Sequence, residues 1–480
     1  MSQSHQSIRD RPASAPALDA LHARTLKLSI VEGCAWAVMS GFGEQFVGPF
    51  AVFLKADDFS MSLLVTLPLI LGALAQLAGG YLVEHMGQRR SVIIMTALIQ
   101  GLGYLPLFWL PYLFPAQGAR IAISVAIVML ISVHLGIPSF NSLMGDLIPE
   151  QIRGQFFSKR MSLITMAMLV SMLGAGRIAT YFEHQHHVWL GFCVIFTIAM
   201  LARCCSAFML TRYYEPPFRP STGASFTFID FIRETPRTNF GRFTFVMAIM
   251  NCMTSVSSPF FTQYMIRDLH WTKDQFAAIT SAFLLSQIIF VRWWGRICDR
   301  HGNRSVIRAT SLLLPLMPIL WATTHNFTII LGVQVLSGMA WSGFNLACTN
   351  FIYDSTPANS RHRIFGYYNV INGMFVLVGG SVLGAWFAAN MPSTFRIGDL
   401  TLVFLSSLPV VFILSGLLRA LVSIILIPVF KEVRSTEPIT SRQLLWRLST
   451  GEPILDHITD ILSNLPRSFR WTNASRGDGQ

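Results

Sequence analysis

A carboxylate lies deep inside the first long apolar run of this chain, where an ionisable group is unusual. Glu44 stands in the segment Gly41-Phe-Gly-Glu-Gln-Phe-Val-Gly-Pro49, whose glycines and proline weaken a helix and allow a neighbour to approach closely. A charge at bilayer depth is costly, so such a residue needs a reason to be there. Two interpretations remain open: a carboxyl that takes up and releases protons at neutral pH, or one held in a structural pair or hydrogen bond inside a helix bundle.

Further ionisable side chains lie inside later apolar runs. His134 is near the middle of the fourth run, and Arg177 lies in the fifth at a depth comparable with that of Glu44. Because imidazole titrates near neutral pH, His134 is a candidate for proton coupling, with ordinary packing as the alternative. Glu32 and Arg203 lie near helix ends, where we expect a structural role and snorkelling to the interface, respectively. Arg419 lies deep in the last run, and its sequence context suggests no role.

The elements that must position these residues are helices that cross a membrane. Hydrophobic residues make up 52% of the 480 residues and charged residues 12%, about half the charged share of soluble domains. The uncharged positions gather in runs of about 20 residues, which is the length that crosses a bilayer as a helix. We predict an all-α fold of about twelve spans, numbered here in chain order. Their predicted ranges are 28–53, 61–83, 91–114, 120–145, 161–182, 188–211, 242–266, 276–297, 305–323, 327–350, 364–390 and 402–430.

The distribution of arginine and lysine predicts the orientation of the spans. Basic residues crowd the loops on the side of the N-terminus, here called the inner end, whereas the outer loops hold only Lys55, Arg120, Arg267, Lys273 and Arg396. Because basic loops stay in the cytoplasm, we predict that both termini are cytoplasmic and that the membrane is a bacterial inner membrane. The predicted organisation is a tail, a six-helix bundle, a central loop, a second six-helix bundle and a tail, over residues 1–27, 28–211, 212–241, 242–430 and 431–480.

A short frame recurs at the inner ends of spans 2 and 8. The first copy reads Gly80-Tyr-Leu-Val-Glu-His-Met-Gly-Gln-Arg89, followed by Arg90, and the second reads Gly295-Arg-Ile-Cys-Asp-Arg-His-Gly-Asn-Arg304. The two copies lie close to half the chain apart. A repeat of that length in a membrane protein indicates two homologous bundles.

A second frame recurs after spans 4 and 10. It reads Asp146-Leu-Ile-Pro-Glu-Gln-Ile-Arg153 in the first half and Asp354-Ser-Thr-Pro-Ala-Asn-Ser-Arg361 in the second. A proline just past a helix end stops the helix, and an arginine beyond it can bind the free carbonyl groups. Two frames that recur at similar offsets support an internal duplication more strongly than either frame alone.

These paired frames resemble those of the major facilitator superfamily of secondary transporters. The resemblance spans residues 28–430, and the first copy departs from it at Glu84-His85, where Asp-Arg is usual. It implies two pseudo-symmetric six-helix bundles and a charge cluster that holds the inner side closed in one access state. The alternative for the arginines is a role in loop solubility and orientation alone. The residues given the gate role are Gly80, Glu84, Gly87, Arg89, Arg90, Asp146, Arg153, Gly295, Asp299, Gly302, Arg304, Asp354 and Arg361.

The resemblance also makes spans 1 and 5 neighbours, so it implies that Glu44 and Arg177 can pair, either as a structural clamp or as a site for a substrate carboxylate. By the same analogy spans 4, 7 and 10 line a central cavity. An aromatic side chain among amides suits a polar organic solute, with hydrogen bonding between helices as the alternative. The candidate cavity residues are Asn251, Gln334, Ser337, Trp341 and Asn345.

We therefore predict a monomeric secondary active transporter of a small organic solute, coupled to protons and working in a lipid bilayer without a cofactor. A multidrug exporter is an alternative, although span 5 lacks the proline of the usual exporter motif. An alternative of another class is a membrane sensor or assembly partner that signals through the C-terminal tail. The basic residues sit at helix ends, which argues against nucleic acid as a partner. The seven cysteines lack metal-ligand spacing, and the chain has neither a P-loop nor a catalytic constellation, so we expect no metal site and no enzyme activity.

Overall fold

The computed structural model describes residues 15–148, 153–216, 233, 238–356, 361–397, 400–433 and 443. Within this part, 11 helices are long and apolar enough to cross a membrane, so the chain is an integral membrane protein. The helical run of span 1, which carries both Glu32 and Glu44, is not among the 11. The prediction of an all-α membrane fold is confirmed.

The helices of the first half follow the predicted spans and extend several of them. Span 2 ends at Gly87, which has a φ of 65°, a left-handed conformation that glycine adopts without strain. The helices are Ala15–Met39, the π-helical turn Ser40–Glu44 and Gln45–Phe53 for span 1, then Asp58–Met86, Arg89–Leu113, Gly118–Leu147, Arg153–His184 and Val188–Leu210 for spans 2 to 6. A 3₁₀ turn at Pro115–Gln117 precedes span 4.

The second half has more interruptions. Its helices are Asn239–Ser255, Phe260–Gln263 and the π-helical turn Tyr264–Asp268 for span 7, Lys273–His301 for span 8, Asn303–Leu313 and Leu316–Thr323 for span 9, Phe327–Ser355 for span 10, Arg361–Leu377, Val378–Gly384 (π-helical) and Ala385–Asn390 for span 11, and Leu408–Ile425 with the 3₁₀ turn Ile427–Val429 for span 12. The predicted start of span 12 at residue 402 is wrong. Strands Thr394–Ile397 and Leu400–Val403 pair there as an antiparallel hairpin, and their Thr, Phe, Ile and Val residues favour extended backbone.

Each half has its own aromatic core. In the first half, Phe50 of span 1 packs against Phe192 and Phe196 of span 6, with ring centroids 5.0 and 5.2 Å apart. In the second half, Phe243 of span 7 stacks on Phe351 of span 10 at 4.4 Å. Buried aromatic contacts of this kind hold the helices of one half together.

The first helix of each half is interrupted at a similar depth. Span 1 widens into the π-helical turn Ser40–Glu44, and span 7 leaves the helical conformation between Ser255 and Phe260. Glu44 is the last residue of the first interruption. Single π-helical turns occur often at functional sites, because they change the direction of the side chains that follow.

The halves meet where glycines allow close approach. Gly373 of span 11 lies against Ile70 of span 2, so close that an added Cβ would be 2.8 Å from the Ile70 Cα. Gly176 of span 5 lies against Ala277 of span 8, and an added Cβ at Gly176 would be 2.8 Å from the Ala277 Cβ. Small residues at such crossings let helices pack closely in lipid.

Candidate functional site

Glu44 accepts one hydrogen bond at each carboxylate oxygen. Ser40 Oγ donates to Oε2 at 2.5 Å, and Gln100 Nε2 of span 3 donates to Oε1 at 2.6 Å. Ser40 and Gln100 are buried, whereas Glu44 is partly exposed. One turn further out, Gly48 faces Thr262 of span 7, so Glu44 lies close to the joint between the halves.

A buried polar cluster lies inward of Glu44 within the first bundle. Glu32 of span 1 accepts from Ser206 Oγ at 2.7 Å, and the guanidinium groups of Arg160 and Arg203 lie 3.5 and 3.9 Å from its carboxylate. The expectation that Arg203 snorkels to the interface is wrong, because its side chain is only 8% exposed. Arg203 Nη1 also donates to Ser206 Oγ at 2.9 Å, so Glu32, Arg203 and Ser206 form one connected group.

The predicted pair between Glu44 and Arg177 is wrong. Arg177 Nη1 lies 3.3 Å from Asp274 Oδ2 of span 8, and 84% of the Arg177 side chain is exposed. The neighbouring Gly176 faces span 8, whereas Glu44 points towards span 3. Arg177 therefore belongs to the outer joint between the halves.

His134 contacts span 2. Its Nδ1 lies 3.1 Å from Gln76 Nε2, and its ring covers Gly72 so closely that a Cβ there would be 2.4 Å from the ring. His134 is half-buried and has a neutral hydrogen-bond partner. A role in proton coupling stays a prediction for this residue.

The candidate cavity residues do not all occupy the same kind of environment. Asn251 of span 7 donates from Nδ2 to Asn372 Oδ1 of span 11 at 2.7 Å, which is a hydrogen bond between helices. Trp341 of span 10 is partly buried and packs edge-on against Phe344. Of the other three, Ser337 is buried, Gln334 is partly buried and Asn345 is exposed. Contact with a solute stays a prediction for all five.

At the inner end, the first frame is organised around the buried side chain of Arg89. Its Nη1 donates to Asp146 at 2.6 Å and to Ser142 at 3.0 Å, both on span 4. Glu215, just after span 6, accepts from the backbone N–H groups of Arg89 at 2.6 Å and Arg90 at 3.2 Å. A carboxylate at a helix N-terminus satisfies free N–H groups and complements the helix dipole.

The second frame repeats this arrangement with different side chains. Glu432, just after span 12, accepts from the backbone N–H of Arg304 at 2.7 Å, and Asn303 Nδ2 donates to Asp354 at 2.7 Å. Gly302 has a φ of 83°, so it ends the preceding helix with positive φ as Gly87 does. Sequence reasoning missed both capping glutamates, although each follows the last span of its half.

The bonds that the structure describes at the two frames lie within one half. The side chains of Glu84, Arg153 and Arg361 lie outside the described residues. Gly80 and Gly295 lie within the helices of spans 2 and 8, and Asp299 is exposed near the end of span 8. Closing of the inner side by these residues stays a prediction.

Bonds between the halves occur at the outer end. Asp58, at the outer start of span 2, accepts from Gln263 Nε2 at 2.6 Å and Arg267 Nη1 at 3.2 Å, both from span 7. Other bonds between the halves join Lys273 to Glu183 at 2.6 Å, the Asp274 backbone N–H to Thr180 at 3.0 Å, and Ser381 to Thr66 at 2.5 Å. Sequence reasoning missed this outer joint.

Curated relatives match only part of the chain. The quinolone resistance protein NorA of Staphylococcus aureus is 28% identical over 124 residues, covering 26% of this chain and 31% of NorA. An uncharacterized transporter of Buchnera aphidicola subsp. Schizaphis graminum is 24% identical over 144 residues, covering 29% of this chain and 34% of that protein. The chain thus spans about a third of the length of these relatives.

Solved structures share the fold over most of the chain. The nucleoside transporter NupG has a TM-score of 0.66 at 13% identity, covering 86% of this chain and 100% of that one. The inward-open xylose transporter XylE from E. coli has a TM-score of 0.57 at 14% identity, covering 89% and 99%. At such identities the similarity shows the fold alone.

A family model extends across both bundles. The model of the Major Facilitator Superfamily matches residues 34–243 and again residues 243–465, one copy for each half. The repeated frames, the two separate aromatic cores and the paired helix interruptions agree with this duplication. The chain belongs to the Major Facilitator Superfamily.

Proposed function

We propose that the chain is a secondary active transporter that moves a small organic solute by alternating access, and that the structure is its inward-facing state. One observation carries this proposal: the described hydrogen bonds between the halves, such as that of Asp58 with Gln263, lie at the outer end. The bonds described at the inner end, of Arg89 with Asp146 and of Asn303 with Asp354, lie within one half.

The packing supports movement of the halves as rigid bodies. Each half is held by its own buried core, and the outer joint combines side-chain bonds and glycine contacts with a smaller apolar contact, in which the Phe46 and Phe276 rings lie 5.9 Å apart and Ala277 packs against the first core. Packed interfaces of this kind change between discrete arrangements rather than deform continuously. Opening the outer end and closing the inner end then carries the solute across.

We assign proton coupling to Glu44, with Gln100 as its positioning residue. The ionised carboxylate is satisfied by the donors Ser40 and Gln100. Gln100 Oε1 is buried and has no hydrogen-bond partner among the described residues. Rotation of the Gln100 amide by half a turn presents this oxygen to a protonated Glu44, so one amide serves both protonation states.

The proposed solute class rests on the predicted cavity residues. Trp341 and the polar residues Gln334 and Asn345 on the same span suit a polar organic molecule with a flat face. A second candidate function is drug export, which the similarity to a quinolone resistance protein over 124 residues supports. The sensor alternative has no such support, because nearly all of its C-terminal tail lies outside the described residues.

The test is flux in proteoliposomes that contain the full chain. The solutes are a nucleoside, xylose and a quinolone, each measured with and without a pH gradient. We expect gradient-driven accumulation of at least one solute, and loss of that accumulation in Glu44→Gln while exchange of the same solute persists. Asp57→Asn is the control, because Asp57 is an exposed carboxylate at the outer end. Equal accumulation by Glu44→Gln would remove Glu44 from coupling, and absence of flux for all three solutes would contradict the proposed solute classes.

A further inference from the structure

A cavity of about 550 Å³ opens at the inner end of the first bundle, away from the joint between the halves. It lies between the start of span 1, the loop before span 3 and the segment after span 6. Its volume falls within the range of small-molecule sites. Gly87 and Arg90 of the predicted gate line this cavity, whereas its residues Arg24 and Arg212 belong neither to the predicted gate nor to the proposed transport path.

Three arginines line the cavity: Arg24, Arg90 and Arg212. Arg24 and Arg212 are exposed, and their side chains form no hydrogen bond or ion pair with the described part of the chain. The Arg212 guanidinium lies over the exposed ring of Phe208, 5.0 Å from its centroid. Arg90 donates from Nη1 to the Tyr213 carbonyl at 2.9 Å.

Among the described residues, Glu215 is the one carboxylate that lines the cavity, and it accepts from the backbone N–H groups of Arg89 and Arg90. Its single negative charge offsets only one of the three arginine charges, so the described lining keeps a net positive charge. Gly87 forms part of the wall, and an added Cβ there would meet no atom within 4 Å. The cavity is therefore an open, positively charged space at the end of a helix bundle.

We propose that this cavity binds a phosphate group, with Arg24, Arg90 and Arg212 as its guanidinium donors. Guanidinium groups match phosphate oxygens in pairs and keep their charge at all physiological pH values. The cavity lies at the helix ends predicted to face the cytoplasm, where the headgroup of an anionic phospholipid is available. A free phosphate compound offers the same oxygens, so the two sources must be separated by experiment.

The experiment titrates the purified full chain in detergent with short-chain phosphatidylglycerol and follows binding by native mass spectrometry. Phosphatidylcholine is titrated in parallel, and inorganic phosphate is added as a competitor. The test variant is Arg24→Gln with Arg212→Gln, because both side chains are exposed and the one contact described for them, of Arg212 with the exposed Phe208 ring, lies on the surface. The control is Arg308→Gln, an exposed arginine at the inner end of the second bundle.

We expect the native protein and Arg308→Gln to bind phosphatidylglycerol equally and to discriminate against phosphatidylcholine. The double variant should bind phosphatidylglycerol about 25-fold more weakly, because each arginine near an anionic headgroup contributes about fivefold to the affinity. Arg24→Lys with Arg212→Lys should restore most of the binding. If inorganic phosphate displaces phosphatidylglycerol, the site is supported and its ligand is a free phosphate compound. If inorganic phosphate does not displace the lipid, the ligand is the lipid headgroup. Equal binding of phosphatidylglycerol to the native protein and the double variant would overturn the proposal, as would equal binding of the two lipids to the native protein.

Discussion

Removing the Asp58 carboxylate should shift the protein towards a state that is open at the outer end. Asp58 accepts from Gln263, which is 1% exposed, and from Arg267, whose side chain is 43% exposed and also bonds to Asp268. A buried hydrogen bond to a charged group contributes about 1.5–3 kcal/mol, and an exposed ion pair contributes about 0–1 kcal/mol. Asp58→Ala should therefore cost the outer-closed state about 2 kcal/mol, which corresponds to a shift of about 30-fold in the equilibrium.

The assay is a distance measurement between spin labels at Gln117 and His325. Both residues are exposed in outer loops, one in each half, and the labels are introduced after the seven native cysteines have been replaced. Pulsed electron paramagnetic resonance then gives the populations of short and long distances between the two labels across the outer end. We expect Asp58→Ala to increase the long-distance population relative to the native protein.

The matched control is Asp57→Ala. Asp57 is the neighbouring carboxylate, and its side chain makes no capping hydrogen bond to the helix of span 2. We expect its distance distribution to equal that of the native protein. An unchanged distribution in Asp58→Ala, or an equal change in both variants, would refute the assignment of the outer joint.

Three further outcomes follow from particular contacts. Glu215→Gln should lower the thermal stability in a melting experiment by the equivalent of about 1 kcal/mol, because a charged cap of two N–H groups is weakened; an unchanged melting temperature would contradict this role. Gly87→Ala should lower the free energy of unfolding by about 1 kcal/mol in the same experiment, because a φ of 65° is strained for alanine even though an added Cβ would meet no atom. The control is Gly145→Ala, where an added Cβ would also meet no atom and φ is not positive. Arg177→Gln should leave the rate of pH-driven flux within about twofold of that of the native protein, because the ion pair of Arg177 with Asp274 is exposed. Complete loss of flux would contradict the assignment of Arg177 to the outer joint.

The number of spans and their division into two halves could be predicted from the sequence, because apolar runs and repeated loop motifs are visible in the local composition of the chain. Twelve spans in two halves follow from bilayer thickness and from recurrence of the same frame. Positive φ at Gly87 and Gly302 explains why both frames need a glycine at that position. Span 12 was misjudged because the apolar residues Leu400–Val403 belong to a hairpin, and hydropathy alone does not separate a short strand from the start of a helix.

The sites were harder to predict because they depend on the rotation of each helix. The π-helical turn Ser40–Glu44 changes the helical phase at Glu44, so regular helical spacing does not give the direction in which its carboxylate points. The same limitation applies to Arg419. Its Nη2 donates to the Thr254 carbonyl at 3.1 Å and to Ser257 Oγ at 2.7 Å, where the interruption of span 7 frees backbone groups. That role requires knowledge of the interruption, which periodicity does not reveal.

The central claim, that protonation of Glu44 is coupled to the opening of the outer end, has a direct test without a substrate. The labelled Gln117–His325 pair is measured at acidic and at neutral pH in the native protein and in Glu44→Gln. We expect the distance distribution to change with pH in the native protein and to be the same at both pH values in Glu44→Gln. A pH-independent distribution in the native protein, or an undiminished pH response in Glu44→Gln, would contradict it.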